Sequence, residues 1–333
     1  MRRRIGWRLP NWQQQLSLPP EITGELVQDM LQLPQTLGSL NEQFGRPGRV
    51  VFTINSFGLI AAEITSDLCQ GRVYLQGGHV TEYQPTGQAP LLWTSSASLY
   101  QPGRAIRGGI PVCWPWFGNH PTDRGKPAHG FARTALWQLV AADYNINGET
   151  VLTLGLNDSS QTYALWPHPF QLTLTIIFGA GLCLFLTMEN CDTSPVSISC
   201  ALHSYFRIAD WHTCRIHGFE SADYLDKVEG DVRKMQSGIL TFEQETDRIY
   251  LLSDAACRVE SPETGRDILI RQQGSTATVV WNPGPIKAAA MADMSGEEYR
   301  EMVCVEAAIA PQAPVVLRPG EAHVLAEIAD CFG

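Results

Sequence analysis

The alternation of apolar and polar positions changes character once along the chain, near residue 50. Before it, Ile22, Leu26 and Met30 recur at i, i+4 and i+8, which predicts one short helix over Glu21–Leu33. Pro19 and Pro20 precede it and Pro34 stops it. Gly38, Gly45, Pro47 and Gly48 then read as a linker. Residues 1–50 thus look like an extension with a short helix, and residues 51–333 like the main domain.

From about Phe52 the period becomes two. Leu136–Leu156 reads as a hairpin, because two apolar runs flank Asn147-Gly148. Leu172, Leu174, Ile176 and Phe178 alternate up to Gly179-Ala180-Gly181, and Leu182, Leu184, Leu186 and Met188 alternate on the way back. Val196–Ile208, Ala277–Trp281, Glu301–Ile309, Val315–Leu317 and Ala322–Ile328 are further strand candidates, the last two joined by the turn Arg318-Pro319-Gly320-Glu321. Long helical patterns are nearly absent. The expectation is an all-β chain, a large antiparallel sandwich or barrel. The absence of a repeat argues against a propeller. No strand–GxGxxG–helix unit, GxxxxGK[ST] or GxSxG occurs, which leaves dinucleotide, P-loop and α/β-hydrolase chemistry unsupported.

The chain has 333 residues, enough for two domains or one large β domain, and 44% hydrophobic residues exclude a disordered chain. A net charge of −10 makes it a poor nucleic-acid binder. The longest apolar stretch, Leu172–Leu186, is broken by Thr173, Thr175, Gly179 and Gly181, so no membrane span is expected. Arg2, Arg3 and Arg4 are followed by no apolar segment, so the chain is expected to be unprocessed and cytoplasmic. Nine cysteines without a CxxC pair read as free thiols. His212, Cys214 and His217 lack further ligands nearby and read as surface residues, and no metal or cofactor is expected.

Several segments could carry chemistry. Ile106–Gly118 combines Arg107, the pair Gly108-Gly109, two prolines and the aromatics Trp114, Trp116 and Phe117. It is either a sugar-stacking surface with an anion-binding arginine or a rigid loop of core tryptophans, the second slightly favoured. His129 and Arg133 lie four apart around small residues and could line one pocket. His203 sits in an apolar strand, where a hydrogen-bonded core histidine is the commoner case. Glu306 is a single carboxylate in a strongly apolar run, and burial would raise its pKa toward that of a general base. Asp226 stands in a polar loop and draws no attention alone.

Four motifs in order, Ile106–Gly118, His129–Arg133, Leu202–Ile208 and Val303–Ala308, resemble those of the hexose-6-phosphate 1-epimerases, the sugar-phosphate branch of the galactose mutarotase-like superfamily. Ala62–Trp93 and Val279–Asp293 fit the same pattern, so the resemblance spans roughly Phe52 to Asp330. It implies an antiparallel β-supersandwich with a sugar cleft on its concave face. It implies His203 as general acid, Glu306 as general base, Arg107 and Arg133 as substrate and phosphate ligands, His129 as a pocket residue, and Asp226 as a carboxylate that holds a sugar hydroxyl. The expected partner is a small-molecule sugar phosphate and the expected state a monomer. An epimerase of unphosphorylated aldoses would share the acid and base without needing both arginines. A non-catalytic carbohydrate-binding sandwich would have no use for His203 and Glu306.

Overall fold

The computed structural model describes residues 35–332, and the helix expected over residues 21–33 lies outside them. Alternation builds the sheets as anticipated. In Phe170–Phe178 the residues Phe170, Leu172, Leu174, Ile176 and Phe178 are buried, with half-buried Gln171, Thr173 and Thr175 between them. The chain turns at Gly179–Gly181 and returns as Leu182–Asn190, in register from Phe178 opposite Leu182 to Phe170 opposite Asn190. The Asn147-Gly148 signal joins Gln138–Tyr144 to Thr150–Asn157.

These strands belong to an eight-stranded back sheet in the order Arg215–His217, Ala256–Ser261, Arg266–Gln273, Ala322–Phe332, Leu182–Asn190, Phe170–Phe178, Thr150–Asn157, Gln138–Tyr144. An eight-stranded front sheet runs Val232–Met235, Asp223–Asp226, Thr246–Tyr250, Ala277–Asn282, Met302–Ile309. Beyond Met302–Ile309 come Cys200–Leu202 and Tyr205–Arg207, both paired to it, and then Val112–Cys113. A four-stranded meander, Val50–Ile54 through His79–Pro85, and the ribbon of Val196–Ile198 with Val315–Leu317 complete the strands. Every pairing between these strands is antiparallel. The architecture is the antiparallel β-sandwich that the sequence pattern implies.

Two segments differ from the reading of the sequence. The stretch read as a linker contains a helix, Leu37–Phe44, opened by a capping box between Thr36 and Ser39. Its Asn41 exchanges two hydrogen bonds of 2.9 Å with the backbone of Phe52, which ties the helix to the first strand. The single strand expected over 196–208 is cut into three. Val196–Ile198 leaves the front sheet, and the remainder breaks at His203-Ser204. There the His203 N–H bonds the Pro111 carbonyl at 3.0 Å and the Ser204 N–H folds back onto the Leu202 carbonyl at 3.0 Å. Register survives the break: Leu202 is opposite Ala307 and Tyr205 opposite Cys304. His203 therefore stands across from Glu306, on a strand buried at all eight positions.

The Gly108-Gly109 pair serves backbone packing. Gly109 has φ +62°, and a Cβ there would lie 2.2 Å from the Val80 carbonyl oxygen. Gly109→Ala is expected to cost more than about 2 kcal/mol, from αL strain and the clash together. Denaturant unfolding measures this, and an unchanged midpoint would contradict it.

Candidate active site

Register decides which side chains share the concave face of the front sheet. Directly opposite residues of antiparallel strands point to the same side. One row across the sheet is Ile249, Val279, Glu306 and His203; the neighbouring row is Asp247, Trp281, Cys304 and Tyr205. Most of these residues line a cleft of about 420 Å³ together with Arg107, Phe117, Gly118, His129, Lys227 and Lys287. A second hollow, of about 450 Å³ on the N-terminal sheet, is lined by Arg72, which pairs with Glu63 and Glu82, and no histidine lines it.

His203 Nε2 and Glu306 Oε1 are 3.3 Å apart. Glu306 is 1% exposed, and its Oε2 and the Nδ1 of His203 have no protein partner among the described residues. Burial moves the two groups toward their neutral forms: it pushes the carboxyl well above the ordinary carboxylate range and the imidazole well below 6.5. Asp247 and Glu327 add to the first shift; His129, Arg107 and Arg133 add to the second.

The imidazole is held from behind. Tyr205 stacks on it at 4.9 Å and 13°, and Trp93 stacks on Tyr205 at 5.8 Å. Arg107 donates to the Tyr205 hydroxyl at 2.9 Å and grips Asp293 through two nitrogens at 3.1 and 3.0 Å. The arginine is thereby fixed and most of its charge is compensated. His129, with φ +65°, has its ring 5.7 Å from that of His203. Its Nδ1 accepts from the Gly118 N–H at 3.4 Å, which leaves Nε2 carrying the proton and able to donate. Burial, with Arg133 and Arg107 nearby, lowers it to about 3, so it stays neutral at ordinary pH.

The other expected residues fall outside the cleft wall. Arg133 does not line it; its Nη2 donates to the Ala128 carbonyl at 2.8 Å, and it has no carboxylate partner among the described residues. Asp226 is opposite Arg248, so it points to the far side of the sheet, where Lys234 pairs with it at 2.9 Å. Asp247, in the adjacent strand, is the carboxylate turned into the cleft, flanked by Lys227 and Lys287. Trp114 and Trp116 are core residues: Trp114 packs among Phe131, Trp166 and Phe170, and Trp116 donates to the Pro127 carbonyl. The aromatic faces in the cleft are Phe117, the third aromatic of that segment, and Trp281. Asp247 and Trp281 escaped the sequence reading because strand register, which alone tells Asp247 from Asp226, is not written in composition or spacing.

His203, Cys304 and Glu306 offer ligand atoms within 4.8 Å of one another, but burial holds the Cys304 thiol well above its usual pKa and so disfavours the thiolate that a metal requires. His217 pairs with Glu260 at 2.7 Å and Cys214 is buried, which disperses the His212–Cys214–His217 group. Among the described residues no helix is long and apolar enough to cross a membrane.

Asp247 supplies a direct test of these electrostatics. Burial pushes its carboxyl up to about 6, against the pull of Lys227 and Lys287. Carboxyl ¹³C shifts, assigned through Asp247→Asn, should titrate near that value; a midpoint near 4 would contradict the geometry.

Residues 62–327 match the family model for aldose 1-epimerase. The chain is 35% identical over 262 residues to a Cenchrus ciliaris protein named "Putative glucose-6-phosphate 1-epimerase", covering 76% of this chain and 78% of that one. An Escherichia coli K12 protein of the same name is also 35% identical, over 76% of this chain and 84% of its own. A crystal structure described as a "putative mutarotase" from Salmonella typhimurium superposes with a TM-score of 0.81 at 29% identity, covering 92% of this chain and 99% of the other. The concave cleft, its His203–Glu306 pair and these likenesses lead to one conclusion: the chain belongs to the aldose 1-epimerase family and is an isomerase that interconverts sugar anomers.

Proposed function

We propose that the protein interconverts the α and β anomers of a hexose 6-phosphate, glucose 6-phosphate first among them, with Glu306 as base and His203 as acid. The observation that carries this reading is the pair itself, 3.3 Å apart at the floor of a cleft. Catalysis is assigned to residues 51–333, which contain every residue of the cleft wall. Nine free cysteines support a reducing compartment such as the cytoplasm.

Ring opening moves two protons. Glu306 takes one from the O1 hydroxyl while His203 gives one to the ring oxygen O5. The aldehyde rotates about C1–C2 and closes on its other face as both protons return. Each transfer typically contributes about 10²–10⁴-fold. Opening converts an ion pair, carboxylate and imidazolium, into a neutral pair, carboxylic acid and imidazole. The dry site favours the neutral pair, so burial stabilises the state that accompanies the open chain. The free enzyme rests in that state, and binding of a closed ring draws the proton from Glu306 to His203. His129 Nε2–H and Asp247 are placed to hold sugar hydroxyls, and Trp281 to pack against C–H faces. The role first given to Asp226 passes to Asp247.

Two-dimensional exchange NMR of glucose 6-phosphate tests the reading. Glu306→Gln and His203→Asn should each lose at least about a hundredfold in kcat with the fold intact, without adding in the double variant. Near wild-type exchange by Glu306→Gln would remove it as the base.

The pH dependence follows from the two shifts. Gain of a second proton on the pair disables the base, and because His203 is depressed this occurs below pH 6.5. Loss of the shared proton disables the acid, and because Glu306 is raised this occurs well above the carboxylate range. For free glucose, which has no group titrating in this range, kcat/KM reports the unliganded pair and should therefore show no imidazole-like fall at pH 6.5; a half-maximum at about 6.5, the ordinary imidazole value, would contradict the depressed imidazole.

Arg133, the cation beside His129 that lacks a carboxylate partner among the described residues, is the proposed phosphate ligand together with Arg107, which lies on the cleft wall. Arg133→Ala should weaken binding of glucose 6-phosphate by roughly ten- to a hundredfold, the worth of one charge-assisted contact, and leave turnover of free glucose nearly unchanged. Equal losses on both sugars would favour an epimerase of unphosphorylated aldoses.

A further inference from the structure

We infer that Glu327 is a positioning residue, which sets the spacing of His203 and Glu306 by holding the residue that follows each of them. This rests on the reading of those two as acid and base. Glu327 is not in the cleft. It belongs to Ala322–Phe332 of the back sheet, opposite Leu184 and Gln272, and reaches across the sandwich. It is 1% exposed. The Ser204 hydroxyl donates to its Oε1, and the Ala307 N–H donates to its Oε2 at 3.1 Å.

Those two partners follow from the break in the strand. In an unbroken ladder Leu202 and Ala307, being opposite, would exchange backbone hydrogen bonds. They remain paired, but the Leu202 carbonyl also accepts from the Ser204 N–H and is thus shared between two donors. Glu327 gives the Ala307 N–H a further acceptor at this shared carbonyl, and its other oxygen takes the Ser204 hydroxyl. One planar carboxylate thus spans the break. Ser204 follows His203 and Ala307 follows Glu306, so a shift of Glu327 moves both reacting groups relative to each other. Burial pushes the Glu327 carboxyl up to about 8, opposed by its two donors.

A simple cross-link between sheets would show up in stability alone. Positioning would show up in kcat. The experiment compares Glu327→Leu, Glu327→Gln and Ser204→Ala, each measured by exchange NMR with glucose 6-phosphate well below its own melting temperature. Glu327→Leu should lower kcat by roughly ten- to a hundredfold, the usual consequence of misplacing reacting groups by about an ångström, with KM within about twofold. Glu327→Gln should recover most of that loss, since its amide oxygen can accept from Ala307 while the Ser204 hydroxyl turns to accept from its NH₂. Ser204→Ala should give a smaller fall in kcat, again with KM held. A folded Glu327→Leu with wild-type kcat, or one whose KM rises while kcat holds, overturns the inference. If Glu327→Leu does not fold, Ser204→Ala decides, and an unchanged kcat there overturns it. Glu306→Gln, run alongside, separates this failure from failure of the acid–base reading: that variant inactive beside a fully active Glu327→Leu refutes positioning only.

Discussion

A carboxyl and an imidazole held face to face inside an otherwise apolar pair of strands is the constraint on which the rest of this structure depends. Taking a carboxylate out of water costs several kcal/mol unless it is paired and hydrogen-bonded. Glu306 receives one close neighbour, His203, and no hydrogen bond to its second oxygen among the described residues. The site is thus left polar and incompletely satisfied, at the floor of a cleft where substrate oxygens can complete it. That arrangement persists only because the strand carrying Glu306 is buried along its whole length and locked on both sides.

The surroundings follow from it. His203 must keep its ring aligned, and the Trp93–Tyr205–His203 stack does so, with Arg107 and Asp293 fixing the tyrosine. The strand breaks where His203 leaves the ladder, and Glu327 ties the two sides together through Ser204 and Ala307. The same dryness that makes the pair unfavourable as ions makes it suited to ring opening, because the reaction neutralises it. Arg107, Lys227 and Lys287 bring cations to the cleft wall in a chain of net charge −10, each beside a carboxylate: Asp293, Asp231 and Glu245.

Much of this was legible in the sequence, for identifiable reasons. Strict alternation in Phe170–Asn190 and the turn glycines between its halves mark that hairpin, because one face is core. Glu306 stands out as a lone charge in an apolar run, and His203 becomes meaningful beside it through the family motifs. Glu327, between Ala326 and Ile328, carries the same signature and passed unread, since one carboxylate in an apolar strand does not say whether it faces a cleft or the opposing sheet. Asp226 and Asp247 could not be told apart because a sheet face depends on pairing between distant segments. Residue type alone did not separate the aromatics of Ile106–Gly118: Trp114 and Trp116 fill core, while Phe117 lines the cleft with Trp281.

The central claim is that burial holds the His203–Glu306 pair neutral in the free enzyme, poised as the partner of the open-chain sugar. Ring ¹⁵N shifts of His203, assigned by comparison with His203→Asn, measure it directly. The account predicts a neutral imidazole at pH 7 that stays neutral on acidification through pH 6.5. An imidazolium signal at pH 7, with Glu306 ionised beside it, would contradict it.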